Sequence, residues 1–148
     1  MVNVGDRDPS SRAAVARGEI AMDPATVETI RAHDLAKGDA LAAARIAGIQ
    51  AAKETARIIP LCHPLALTHV AVNLTLLRDR IQVEARVESE GRTGVEMEAL
   101  TATSAALLTL YDMAKSIDRA MVIGAIRVVD KTGGTRTDGY TDPLREDE

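Results

Sequence analysis

The stretch Leu67-Thr68-His69-Val70-Ala71-Val72-Asn73-Leu74-Thr75-Leu76-Leu77-Arg78-Asp79-Arg80-Ile81-Gln82-Val83-Glu84-Ala85-Arg86-Val87 decides the fold. Leu67, Val70, Val72, Leu74 and Leu76 mostly alternate with polar residues, and Ile81, Val83, Ala85 and Val87 alternate again after the turn at Arg78-Asp79-Arg80. Period-two patterning on both sides of a short polar break predicts an antiparallel hairpin with one buried face. That face needs cover, and long helical patterns flank it. Gly38-Asp39 opens an alanine-rich run over 40–58 whose apolar side holds Leu41, Ala44, Ile49, Ala52 and Ala56. A second run, rich in Ala, Leu and Thr, predicts a helix over 98–117, with 89–94 before it as a loop. Weaker alternation over 12–22 and an apolar segment over 121–129 supply further strands. Asp23-Pro24 starts a short helix reaching about His33, with Asp as N-cap and Pro in the first turn. The expected architecture is α+β: one antiparallel sheet covered by two long helices, in a single domain spanning 1–148. Residues 1–11 read as a flexible N-terminal arm and residues 131–148 as a polar C-terminal tail.

Composition limits the partners. The 148 residues include two Tyr and neither Phe nor Trp, so the core must be built from Ala, Val, Ile, Leu and Met. Alanine buries little area, so such a monomer gains less than usual from hydrophobic burial, and subunit assembly would offset this. An oligomer is expected. The single cysteine allows no internal disulfide and fits a reducing cytoplasm. No apolar run approaches membrane-spanning length, so no membrane partner is expected. A formal net charge of -4 argues against nonspecific nucleic-acid binding but leaves room for a basic pocket.

Ile59-Pro60-Leu61-Cys62-His63-Pro64-Leu65 sets a thiol beside an imidazole between two prolines. Each proline fixes its own φ and drives the preceding residue from helix, so Cys62 and His63 ride a stiff loop. They read either as a structural loop with an inert thiol or as a substrate contact. On the second long helix, Glu98 and Asp112 lie fourteen residues apart and share a face, while Asp112 and Lys115 are i and i+3. That pair is either a surface salt bridge or a tuned proton donor. Glu96 and Glu98 point to opposite sides if helical and share one side in an extended lead-in; they either cap the helix or hold a ligand. Lys37 and Lys53 differ in direction by roughly 160° if the helix is continuous between them. Either one faces solvent, or the two serve neighbouring pockets across a subunit interface. Lys131 beside Gly133-Gly134 is a mobile basic tail or a phosphate contact. No CxxC, HxxxH or HExxH occurs, and no metal site is expected. P-loop and GxGxxG motifs are also missing.

These residues fall in blocks that resemble the cyclic pyranopterin monophosphate synthases, the accessory protein C family of molybdenum cofactor biosynthesis. The blocks are Lys37-Gly38-Asp39, residues 44–53, 59–65 and 93–100, Tyr111-Asp112-Met113 with Lys115, and Lys131-Thr132-Gly133-Gly134, all in family order. One departure is Val2-Asn3-Val4-Gly5, where the family usually reads Val-Asp-Val-Ser. The resemblance implies a ferredoxin-like fold in a cytoplasmic hexamer, a trimer of dimers with sites at the dimer interface. It also implies conversion of a 3′,8-cyclised dihydro-GTP to cyclic pyranopterin monophosphate with loss of pyrophosphate. No cofactor is required, with Mg²⁺ allowed beside the triphosphate. Asp112, Lys115 and Lys37 would be catalytic. Leu61, Cys62, His63, Glu96, Met97, Glu98, Lys53 and Lys131 would bind substrate. Two other readings stay open on the residues: a zinc-dependent GTP cyclohydrolase-type enzyme using Cys62 and a histidine, and a non-catalytic ferredoxin-like module that binds a nucleotide between subunits.

Overall fold

The computed structural model describes residues 1–134 and Asp142. The elements run β1 (Ser10–Ala21), α1 (Pro24–Arg31), α2 (Ala40–Ile58), β2 (Leu67–Leu76), β3 (Arg80–Gly91), α3 (Glu96–Ala114) and β4 (Val122–Thr132). The strands form one antiparallel sheet in the order β2-β3-β1-β4. The protein is thus α+β, with a four-stranded antiparallel sheet and three helices, an order consistent with a ferredoxin-like fold.

Alternation places the core. On β3, Ile81, Val83, Ala85, Val87 and Ser89 all face inward and are buried. The residues between them, such as Glu84 and Arg86, pair on the outer face: Arg17 Nε lies 2.6 Å from Glu84 and Arg86 Nε 2.7 Å from Glu88. The β2–β3 hairpin joins Leu76 to Ile81, with Leu77 N–H donating to the Arg80 carbonyl at 2.9 Å. Where bulky aromatics would normally fill space, small side chains let backbones approach instead. The buried side of α2 is Ala40, Ala44, Gly48, Ala52 and Thr55, and it packs against α3 through Ala102. A Cβ at Gly48 would stand 3.0 Å from the Ala102 carbonyl oxygen, so the two helices touch almost main chain to main chain. Gly18 of β1 likewise lies under Leu107 and Ile126.

Several boundaries differ from the expectation. Residues 89–91 continue β3 instead of forming a loop, because Ser89 faces the core and pairs with both neighbouring strands; long-range pairing overrides local charge and glycine content. α3 starts at Glu96 and ends at Ala114, two residues early and three residues short of the expected limits. Ile117 and Asp118 both donate to the Ala114 carbonyl and close the chain into a turn there. β1 takes in Ser10 and Ser11 from the expected arm, and β4 takes in Lys131 and Thr132 from the expected tail. Residues 135–141 and 143–148 of that tail lie outside the described residues.

Candidate functional site

Pro60 and Pro64 do to the chain what their chemistry requires. α2 stops at Ile58, Ile59 turns extended (φ -99, ψ 108), and Cys62 N–H closes a tight turn on the Ile59 carbonyl at 3.1 Å. The turn carries Leu61, Cys62, His63 and Leu65 to one wall of a cavity of ≈ 420 Å³. The opposite wall is the entry to α3: Thr93, Gly94, Glu96, Met97 and Glu98. Glu96 and Glu98 are both helical, so the extended lead-in does not form. They reach the same cavity because it sits at the helix's open end, where residues on different sides of the axis still converge. The Glu96 side chain folds back across Gly94, where any Cβ would collide with its carboxylate.

Electrostatics divides the two acids. Glu96 is neutralised by Lys131, which β4 brings to the cavity rim. Glu98 is 4% exposed. Burial raises its pKa, and the neighbouring charge of Glu96 adds to this. Cys62 is pushed up as well, first by burial and then by the Glu98 charge. Near neutral pH it is a thiol, suited to contact and not to nucleophilic attack. Among the described residues, no three His, Cys, Asp or Glu side chains come together as metal ligands would.

The second group lies at the other end of α3. Asp112 Oδ1 meets Lys115 Nζ at 2.7 Å, and its Oδ2 meets Lys37 Nζ at 2.6 Å. Lys37 also donates to the Asp112 carbonyl at 3.0 Å. It reaches there because Gly38 turns at φ +99 and Asp39 caps α2 through Ala42 N–H at 3.0 Å. The hydrogen bond from Lys115, then that from Lys37, hold the Asp112 carboxyl down at about 2. Asp112 in turn raises Lys115. All three side chains are roughly half exposed.

The candidate residues therefore form two groups in one chain. Leu61, Cys62, His63, Glu96, Met97, Glu98 and Lys131 gather at the cavity. Lys37, Asp112 and Lys115 gather fourteen residues along α3 from Glu98, a separation of about 21 Å. Lys53 is exposed on α2 and joins neither group through an ion pair among the described residues. The expected arm over 1–11 has a place the sequence did not suggest: Val2, Val4 and Arg7 line the cavity. Asn3 Oδ1 accepts from Gly5 N–H at 2.8 Å, Arg7 N–H donates to Val4 at 3.2 Å, and the Arg92 guanidinium donates to the Gly5 carbonyl. Polarity and a glycine read locally as an arm; two of these bonds are local, and the third reaches Arg92, far along the chain.

A model described as the MoaC family matches residues 1–134. The chain belongs to the MoaC family. The matched region contains both groups, the cavity arm and Gly133-Gly134. Among MoaC-family relatives, the cyclic pyranopterin monophosphate synthase of Roseiflexus sp. (strain RS-1) is 58% identical over 144 residues, covering 96% of this chain and 91% of that protein. The synthase of the same name from Roseiflexus castenholzii is 60% identical over 136 residues, covering 90% and 86%. That from Parvibaculum lavamentivorans is 54% identical over 140 residues, covering 93% and 88%. Among the described residues, no helix is long and apolar enough to cross a membrane.

Proposed function

We propose that this chain is a cyclic pyranopterin monophosphate synthase of molybdenum cofactor biosynthesis, a phosphorus-oxygen lyase of the cytoplasm. Its substrate is a 3′,8-cyclised dihydroguanosine triphosphate, and its products are cyclic pyranopterin monophosphate and pyrophosphate. One observation carries the reading beyond its relatives' names. The acidic, thiol and imidazole groups sit at one end of α3 and the Lys37–Asp112–Lys115 cluster at the other. A separation of about 21 Å is too wide for the cluster to act on a ligand held in the cavity of the same chain. The two halves make one site only when a second protomer supplies the missing half. A ferredoxin-like subunit in a hexamer, a trimer of dimers with sites at the dimer interface, meets that need. Ile46, Ile58, Leu61, Leu108, Ile117 and Val122 remain exposed on the single chain, which supports their burial between subunits.

In such a site the Glu98 carboxylate accepts the adjacent N–H donors of a guanine-derived ring, with Glu96 beside it. Leu61, Cys62, His63 and Met97 hold the ring and ribose. Lys131 and Lys53 offset phosphate charge, and no cofactor is needed, with Mg²⁺ a companion of the triphosphate. The ring opens and recloses by proton transfers. A ribose-derived hydroxyl then attacks the α-phosphorus, forming a new P–O bond. The bond to the β-phosphate breaks, and pyrophosphate leaves with the electron pair. Asp112 enters ionised and Lys115 protonated, so the pair offers an acceptor and a donor, with Lys37 as a second group exchanging protons with Asp112. Incubation with the cyclised dihydro-GTP tests this: pyrophosphate and the cyclic monophosphate should appear in equal amounts. A protein that binds the nucleotide and releases no pyrophosphate is not this enzyme.

A further inference from the structure

A second cavity, of ≈ 520 Å³, adjoins the first and shares a lining residue with it. That residue is Arg7. The second cavity is otherwise walled by Asp8, Ser10, Ser11 and Arg12 on one side and by Gly133 and Gly134 on the other. By lining residues the two differ in sign: Glu96 and Glu98 outnumber the shared Arg7 in the first cavity, where Lys131 at the rim pairs with Glu96, and Arg7 and Arg12 outnumber Asp8 in the second. Neither arginine has a carboxylate partner among the described ion pairs, a lack they share with Arg45, Arg78, Arg92 and Arg119, whereas Arg17, Arg31, Arg57, Arg80, Arg86 and Arg127 are paired. Arg12 donates from Nε to the Gly91 carbonyl at 3.3 Å, and its other N–H groups make no hydrogen bond among the described residues. Gly133 and Gly134 have φ of +86 and +97, and a Cβ on Gly134 would collide with the Arg12 guanidinium. The glycines thus keep the basic wall open.

An acidic cavity joined to a basic one suits a ligand with a donor-rich ring at one end and several phosphates at the other. We propose that Arg7 is a specificity-determining residue, which selects a triphosphate over shorter phosphates by binding the terminal phosphates as they pass from the first cavity into the second. The inference rests on the substrate proposed above. It gives the N-terminal arm a purpose: Arg7 N–H donates to the Val4 carbonyl and the Arg92 guanidinium donates to the Gly5 carbonyl, which together hold the arm that carries Arg7 at the junction. A guanidinium on two phosphate oxygens is a charge-assisted, bidentate contact that a shorter phosphate chain would not reach.

The test uses the full-length protein and inorganic probes. Calorimetric titration with tripolyphosphate should give a Kd about tenfold weaker for Arg7→Ala, with Arg7→Lys between the two, and orthophosphate binding should not change. In turnover assays, Arg7→Ala should raise KM for the cyclised triphosphate about tenfold while kcat stays within about threefold. Equal tripolyphosphate affinity and equal KM in Arg7→Ala and wild type would overturn the assignment of Arg7 and leave the enzyme's reaction standing. Wild-type protein that binds tripolyphosphate through Arg7 but turns over no cyclised nucleotide would instead overturn the substrate reading.

Discussion

Replacing Glu98 by Gln should make the protein more stable and nearly inactive. Glu98 is buried at the first turn of α3, and burial followed by the Glu96 charge raises its pKa. The folded state therefore holds the proton more tightly than the unfolded chain does. Below the unfolded carboxylate value of about 4.3 both states are protonated and no penalty exists. As pH rises through the higher folded value, the folded state must carry a desolvated charge, and stability falls. Gln keeps the shape and removes that charge. The gain near pH 7 should be about 1 kcal/mol, the low end of the penalty for a buried polar group short of partners. For a domain of this size it raises Tm by about 3–5 °C. Differential scanning calorimetry from pH 4 to pH 8 reads it directly: the two proteins melt together near pH 4 and separate as pH rises. The same substitution removes the negative charge that helps hold the Cys62 thiol up, so alkylation of Cys62 at pH 8 should quicken. Turnover should fall at least a hundredfold. A variant that melts below wild type at neutral pH, or separates from it only under acid conditions, would refute the desolvation argument.

Other consequences follow from the second group and from the packing. Lys115→Ala should bind the cyclised nucleotide yet lower the rate of pyrophosphate release by about 10²–10⁴, and normal turnover would remove Lys115 from the mechanism. Asp112 should show no carboxyl titration by carbon-13 NMR above about pH 3 in the wild-type protein, because Lys115 and Lys37 hold it at about 2. In the Lys37→Ala, Lys115→Ala double variant it should titrate near 3.9, and a midpoint near 4 in wild type would contradict the bridged geometry. Gly18→Ala should cost about 1–3 kcal/mol in denaturant unfolding. Its Cβ would stand 2.8 Å from Leu107 Cδ1 and 2.9 Å from Ile126 Cγ1, and an unchanged midpoint would mean that β1 and α3 are not so close.

What could be read from the residues was whatever depends on near neighbours. The alternation of β3 and the Asp39-capped start of α2 set their own elements, and Ala40 and Ile58 bound α2 as expected. The paired prolines likewise announced a stiff Cys62-His63 turn. Features built by distant contacts stayed hidden. Residues 89–91 read as loop because pairing with Arg12 and Leu67 is invisible locally. Ile46 and Ile58 stay exposed on the single chain, Ile46 on the side of α2 away from Ala44, Gly48 and Ala52, and neither belongs to the apolar face that the periodicity marked. Lys37 and Asp112 lie seventy-five residues apart in sequence, so only the loop through Gly38 reveals their contact. Arg7 was missed for the same reason: the arm that carries it is tied down at Gly5 by Arg92, and the second cavity it lines is completed by Gly133-Gly134, each far along the chain.

Subunit complementation tests the shared site most directly. Glu98→Gln and Asp112→Asn each disable one half, and each alone should be almost inactive. Co-expressed in equal amounts, half of the dimers contain one subunit of each kind, and each of these has one fully wild-type site out of two. The mixture should then recover about a quarter of wild-type turnover. A mixture no more active than its parents would mean that both halves act within one protomer, and the two-protomer site would be wrong.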